Sequence, residues 1–173
     1  KNYANYSSIV RCVNENSNSY YILRFFFGKN HCPSNNISRN KCYYYIMRFF
    51  VRQDLNYFLG LYSYSSFTDN IASGYTCLYL WANSNFEIKS CNIIRNTQGN
   101  LGSGGTIYTA GRVMIYDSCI LENKATNIFC QGSSSYTITL SNCTVDSTSN
   151  NGYLTIQNTV TKSFILALNH MST

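Results

Sequence analysis

Short runs that alternate apolar and polar residues, each closed by Asn, Ser or Gly, recur along this chain. Phe86-Glu-Ile88, Val113-Met-Ile115 and Ile138-Thr-Leu140 place apolar side chains two residues apart, the period of a strand with one face turned to a core. Shortly after each comes a second apolar group. Aligned on their last residue, Phe67-Thr-Asp-Asn70, Ile93-Ile-Arg-Asn96 and Ile120-Leu-Glu-Asn123 recur at spacings of 26 and 27, and a degenerate copy, Val145-Asp-Ser-Thr148, follows 25 residues later. Further upstream lie "YTCLYLW" (75–81), "GGTIYTAG" (104–111) and "NIFCQG" (127–132). Each unit therefore reads as two or three short strands separated by turns.

The N-terminal region repeats as well. "YYILRFFF" (20–27) and "YYYIMRFFV" (43–51) superimpose at a spacing of 24, with Arg24 and Arg48 at matching positions. Short strands without a helical period, at a repeat of this length, predict an all-β solenoid, a single-stranded parallel β-helix of about six coils of 24–28 residues, in which equivalent residues stack ~4.8 Å apart. Propeller blades need about 40 residues, and a leucine-rich repeat needs its leucine–asparagine spacing, so neither fits. Residues 1–173 form one segment, with 1–60 as aromatic and basic coils or a cap and 61–173 as the regular coils.

Stacking assigns a role to each repeat position. Phe67, Ile93, Ile120 and Val145 form an inward apolar column. Asn70, Asn96 and Asn123 form an amide ladder at a turn, where backbone groups need partners. The residue before each of these, Asp69, Arg95, Glu122 and then Ser147, faces outward, and its alternating sign relieves like-charge repulsion between levels.

Composition supports a packed β domain. Aromatic residues make up 16% of the chain and charged residues 12%, so apolar surface is available to bury. The net charge of +6 is concentrated in residues 1–60, where eight Lys or Arg face only Glu15 and Asp54. A basic, aromatic stretch is one signature of single-strand nucleic-acid binding, but the arginines sit inside apolar runs, and a solvated basic face is the expectation. No nucleic acid partner is expected. No apolar run approaches a membrane span, since the longest, Tyr20 to Phe27, is interrupted by Arg24. Any membrane attachment would come through segments outside this chain, which reads as part of something longer.

Eight cysteines (12, 32, 42, 77, 91, 119, 130 and 143) permit disulfides without requiring them. Cys91 and Cys143 lie two residues before the inward column and Cys119 one before it. Either Cys119 faces outward or a bulge restores its register. Mostly free, buried thiols are expected. Asn5, Asn36 and Asn142 each open an Asn-x-Ser/Thr sequon and are the candidate glycosylation sites.

Catalytic and metal chemistry finds little to work with. The seven acids, Glu15, Asp54, Asp69, Glu87, Asp117, Glu122 and Asp146, are spread about one per coil, whereas a glycosidase needs two carboxyl groups in one groove. Cys12, His31, Cys32 and Cys42 match no zinc spacing. A nucleophilic Cys119 lacks a neighbouring histidine, His31 and His170 being near opposite ends. "GNLGSGG" (99–105) has the glycines of a phosphate loop but neither its lysine nor a following helix, and reads as a turn. No catalytic residue, cofactor or metal is assigned.

With Gly104-Gly-Thr-Ile107 and Phe67-Thr-Asp-Asn70, the pattern resembles the polymorphic-outer-membrane-protein repeat, marked by paired GG-A/T-I and F-x-x-N motifs. Cys119-Ile-Leu-Glu-Asn123, "SNCTVDSTS" (141–149) and the Asn, Ser and Tyr richness look like the large surface-protein families of trichomonad parasites. The match covers roughly residues 64–160. It implies a right-handed β-helix in a secreted or cell-surface protein with a role in adhesion. The expected function is that of a non-catalytic extracellular segment for adhesion or surface display, whose partner is a host-cell or matrix protein or a glycan. The alternatives are a carbohydrate-active β-helix of lyase or glycosidase type and a structural stalk or spacer.

Overall fold

The structure, a computed structural model, describes residues 21–26, 30–33, 35–42, 45–50, 58–73, 76–81, 85–99 and 104–161. Among them every regular element is a β-strand, and the strands stack in four parallel sheets. The first sheet contains Tyr21–Phe26, Tyr45–Phe50, Thr76–Trp81, Ile107–Thr109 and Phe129–Gln131. The second carries six strands, Asn30–Pro33, Phe58–Ser63, Asn85–Lys89, Arg112–Tyr116, Thr137–Ser141 and Tyr153–Gln157. The third also carries six, Asn36–Ser38, Ser66–Thr68, Asn92–Ile94, Cys119–Leu121, Thr144–Val145 and Val160–Thr161. The fourth is a short strip of Lys41–Cys42, Ile71–Ala72 and Thr97–Gln98. The chain visits the sheets in rotation, so each circuit is one level of a parallel β-solenoid.

Alternation explains why these residues form these strands. Asn85–Lys89, Arg112–Tyr116 and Thr137–Ser141 bury every second side chain, and Phe86, Ile88, Val113, Ile115, Ile138 and Leu140 are at most 1% exposed. On the third sheet Ile37, Phe67, Ile93, Ile120 and Val145 are aligned across successive strands and buried. Met47, Leu78, Ile107 and Phe129 do the same on the first. Together these columns make the single core cluster of the described residues.

The levels are less uniform than the 24–28 residues expected from the repeat. Ile37 pairs with Phe67, 30 positions on, while Val145 pairs with Thr161, only 16 on. In the long level the second-sheet strand begins at Phe58, eight positions after Phe50, against four from Trp81 to Asn85 in the next. In the short one, Tyr153–Gln157 follows Thr144–Val145 without a first-sheet strand between them. The one register slip among the described pairings lies between Asn85 and Phe86 against Phe58 and Gly60. No slip occurs at Cys119, which pairs with Asn92 and Thr144.

Two columns of corners are made by single residues in the left-handed backbone region. One corner uses Arg39, Asp69, Arg95 and Glu122, with φ between 54° and 57°. The other uses Tyr64, Ser90, Asp117, Asn142 and Asn158, with φ between 44° and 53°. None is glycine; Asp69, Asp117, Asn142 and Asn158 are of the types that enter this region most readily, while the others bear a steric cost of ~1–2 kcal/mol. Tyr64 is the clearest case, because it is aromatic and 66% exposed and recovers little by burial. Tyr64→Gly is expected to stabilise the chain by about 0.5–1 kcal/mol, the relief of strain exceeding the added entropy of the unfolded chain. Urea denaturation of the two forms measures it.

Candidate functional site

The two corners are tied from level to level by side chains, and they account for most of the polar residues that carry candidate chemistry. At the first, Asn40, Asn70, Asn96 and Asn123 form a continuous ladder. Oδ1 of Asn96 accepts from the backbone N–H of Asn70 (3.2 Å) and from its Nδ2 (2.9 Å). Nδ2 of Asn96 in turn donates to the Phe67 carbonyl (2.8 Å) and to Oδ1 of Asn123 (3.0 Å). The same bonds link Asn40 to Asn70, with Nδ2 of Asn70 on the Ile37 carbonyl at 2.8 Å, and Nδ2 of Asn123 reaches the Ile93 carbonyl at 2.7 Å. Asn70 and Asn96 are fully buried, so the backbone groups that a corner leaves unpaired find their partners in these amides.

Beside the ladder runs a column of alternating charge. Arg95 grips Asp69 with two bonds, Nε–Oδ1 at 2.6 Å and Nη2–Oδ2 at 3.0 Å. The pair is exposed on both sides, so it contributes little and weakens with salt. The Arg95 guanidinium holds the Asp69 carboxyl below its usual range, and Arg39 adds to this from the level before. Glu122 closes the series, helping to raise Arg95. Its own backbone N–H donates to Asp146.

At the other corner Ser65, Cys91, Ser118, Cys143 and Thr159 make a second ladder, of hydroxyls and thiols. Each donates to the carbonyl two residues before it: Ser65 to Ser63 (3.0 Å), Cys91 to Lys89 (3.2 Å), Ser118 to Tyr116 (2.8 Å), Cys143 to Ser141 (3.3 Å) and Thr159 to Gln157 (2.9 Å). Each also receives a backbone N–H from the preceding level, as Oγ of Ser118 does from Cys91 (3.0 Å). Cys119 is thereby explained. Ser118, not Cys119, occupies the rung shared with Cys91 and Cys143, and Cys119 faces out, half-buried, on the third sheet.

The described cysteines 42, 77, 91, 119, 130 and 143 are all free. Burial pushes every one of these thiols up, Cys42 to about 12 and Cys91 to about 11. A thiol held protonated is a poor nucleophile, so none is activated. Cys12 and the side chain of Cys32 lie outside the described residues, as does His170, while His31 is placed only as a strand position.

The described carboxylates are drawn into separate contacts. Asp69 is held by Arg95, Asp117 by Nδ2 of Asn142 (2.7 Å), Asp146 by the Glu122 N–H and Glu87 by the Tyr116 hydroxyl. A cavity of about 480 Å³ opens beside the first corner, lined by Arg95, Thr97, Glu122, Asn123 and Lys124. Of Asp69, Asp117, Glu122 and Asp146, only Glu122 lines it. Among the described residues no three His, Cys, Asp or Glu gather as a metal site would require. Of the sequon asparagines, Asn36 and Asn142 are exposed, and Asn5 lies outside the described residues.

Two outer faces present side chains in register. On the first sheet Arg48, Tyr79, Tyr108 and Cys130 stack outward. The Tyr79 and Tyr108 rings lie 4.8 Å apart and nearly parallel, Trp81 stacks on Tyr79 at 5.6 Å, and the Arg48 guanidinium sits 5.3 Å from the Tyr79 ring centre. These ring faces are occupied by one another, and Tyr79 is buried. On the second sheet the outward rows include Lys89 and Tyr116, whose ammonium and ring are 5.6 Å apart, together with Arg112, Met114 and Tyr153. Met114 is 36% and Tyr153 65% exposed. With Arg112, Met114 and Tyr153 exposed, this face is the strongest candidate contact surface among the described residues. Composition alone did not separate it from the other tyrosine-rich stretches; the strand register did. No family model, curated protein or solved structure matches the chain, so the parallel β-solenoid and its faces are the ground for any reading of function.

Proposed function

We propose that this chain is a non-catalytic segment of an extracellular, cell-surface protein, and that it serves adhesion through the outer face of its second sheet. The observation that carries the reading is the in-register display of Arg112, Met114, Tyr116 and Tyr153 on strands Arg112–Tyr116 and Tyr153–Gln157. Arg, Met and Tyr are the residue types enriched where proteins meet, so a host-cell or matrix protein is the partner this face suits. The engaged carboxylates weigh against glycoside chemistry, because no two of them line the cavity beside the first corner. A relationship to the polymorphic-outer-membrane-protein repeat fits the same picture. Gly105 of the Gly-Gly-Thr-Ile motif sits where an added Cβ would be 2.4 Å from the Asn127 carbonyl oxygen of the next level. Phe67 and Asn70 of the other motif supply a core rung and a ladder amide.

The test is binding of the soluble chain to immobilised matrix proteins and to cultured cells, compared with Met114→Glu and Tyr153→Ser. Both positions are exposed, so circular dichroism should be unchanged while binding falls at least about tenfold, as for central interface residues. Equal binding by all three forms, or turnover of a polysaccharide by the unaltered chain, would sink the reading.

A further inference from the structure

The last described level of the solenoid holds the chain's one Asn-Gly step, Asn151-Gly152. The glycine lies close under a neighbour: a Cβ there would stand 2.6 Å from Oε1 of the buried Gln131, whose side chain would have to swing aside. Asn-Gly is also the step most prone to spontaneous deamidation, because no side chain on the glycine hinders the attack of its nitrogen. Both reacting groups are restrained here. Oδ1 of Asn151 accepts the Gln131 N–H at 2.7 Å and Nδ2 donates to the Gln131 carbonyl at 3.2 Å. The Gly152 N–H is directed to Oδ1 of Asn150 at 3.2 Å. Nε2 of Gln131 then donates to the Tyr153 carbonyl at 2.9 Å, fixing the start of the final second-sheet strand.

We propose that Asn151 is a deamidation site gated by the docking of strand Tyr153–Gln157 on Thr137–Ser141. While Tyr153–Gln157 is paired, the side-chain amide is pinned to the Gln131 backbone and cannot reach the Gly152 nitrogen. When the level opens, that nitrogen attacks Cγ of Asn151, the Cγ–Nδ2 bond breaks, and ammonia departs carrying the amide proton. Water then opens the cyclic imide to aspartate or isoaspartate. The change is one-way in its effect on the fold. Aspartate loses the donor to the Gln131 carbonyl and sets a carboxylate oxygen against it. Isoaspartate lengthens the main chain by one atom immediately before Tyr153–Gln157, whose register with Thr137–Ser141 depends on that spacing. The site therefore records how often this level has come undone.

The experiment incubates the unaltered chain at neutral pH, folded and in urea, and follows conversion of the Asn151 peptide by mass spectrometry. Folded chain should convert at least about tenfold more slowly than unfolded, the gap reflecting local opening. Hydrogen exchange at the Gln131 and Tyr153 amides should show a matching protection. Gln131→Ala removes the Nε2 bond but keeps the main-chain partners of Asn151, so it should raise the folded rate several-fold and leave the rate in urea unchanged. Equal folded and unfolded rates for the unaltered chain would overturn the gating. So would protection at Asn151 with freely exchanging amides around it, and this second readout stands even if the variant does not fold.

Discussion

Asn96→Ala should destabilise the chain by about 4 kcal/mol, because it removes the middle of a ladder rather than one hydrogen bond. The alanine would leave the Asn70 N–H and Nδ2 without their acceptor, and the Phe67 carbonyl without its donor, in a site with no exposure. Each orphaned buried group costs ~1–3 kcal/mol, which is why the total exceeds the net worth of the bonds themselves. Asn123→Ala, at a half-buried position, should cost about half as much. Urea unfolding followed by the fluorescence of Trp81, the chain's single tryptophan and a member of the same level as Asn96, would read the loss. A cost for Asn96→Ala no larger than that of an exposed substitution would show that the ladder is ornamental.

The second large effect belongs to the core column. Phe67→Ala should cost about 3–5 kcal/mol, the transfer of the ring and the cavity it leaves acting together. Phe67 is 1% exposed and meets Tyr62 edge-on at 5.5 Å, so the site cannot close without disturbing Ile37 and Ile93 on the levels either side. Thr68→Ala, the next residue but half-buried and on the opposite side of the strand, should change stability by no more than about 0.5 kcal/mol. The contrast between neighbours tests the inward and outward assignment directly.

These two residues were also the most legible in the sequence, and for one reason: a column of identical chemistry repeats as identical letters. Phe67, Ile93, Ile120 and Val145 share bulk, and Asn70, Asn96 and Asn123 share an amide. The second ladder was hidden because Ser, Cys and Thr perform the same hydrogen-bonding task under three different letters. Comparing residues by identity set Cys119 beside Cys91 and Cys143, when the functional equivalent was its neighbour Ser118. The start of the first ladder was missed for another reason. Ile37-Ser-Arg-Asn40 repeats the wording of Ile93-Ile-Arg-Asn96, but it stands 30 residues before Phe67 and fell outside the expected repeat length. The left-handed corners left only a faint trace, since Asp69, Asp117, Asn142 and Asn158 are of types that tolerate that backbone while Arg39, Tyr64, Ser90, Arg95 and Glu122 do not advertise it. The contact face depends on which rows point outward together, which follows from register rather than composition.

The corner charges also bear on how such a molecule can change length. Removing one whole level, by joining the chain after Asn70 to the residues after Asn96, would put Asn70 against Asn123 and preserve the amide bonding. It would also set Asp69 against Glu122, two like charges where opposite ones stood. Removing two levels would restore the alternation of Arg39 with Glu122. The amides tolerate any number of units, while the charges favour an even change.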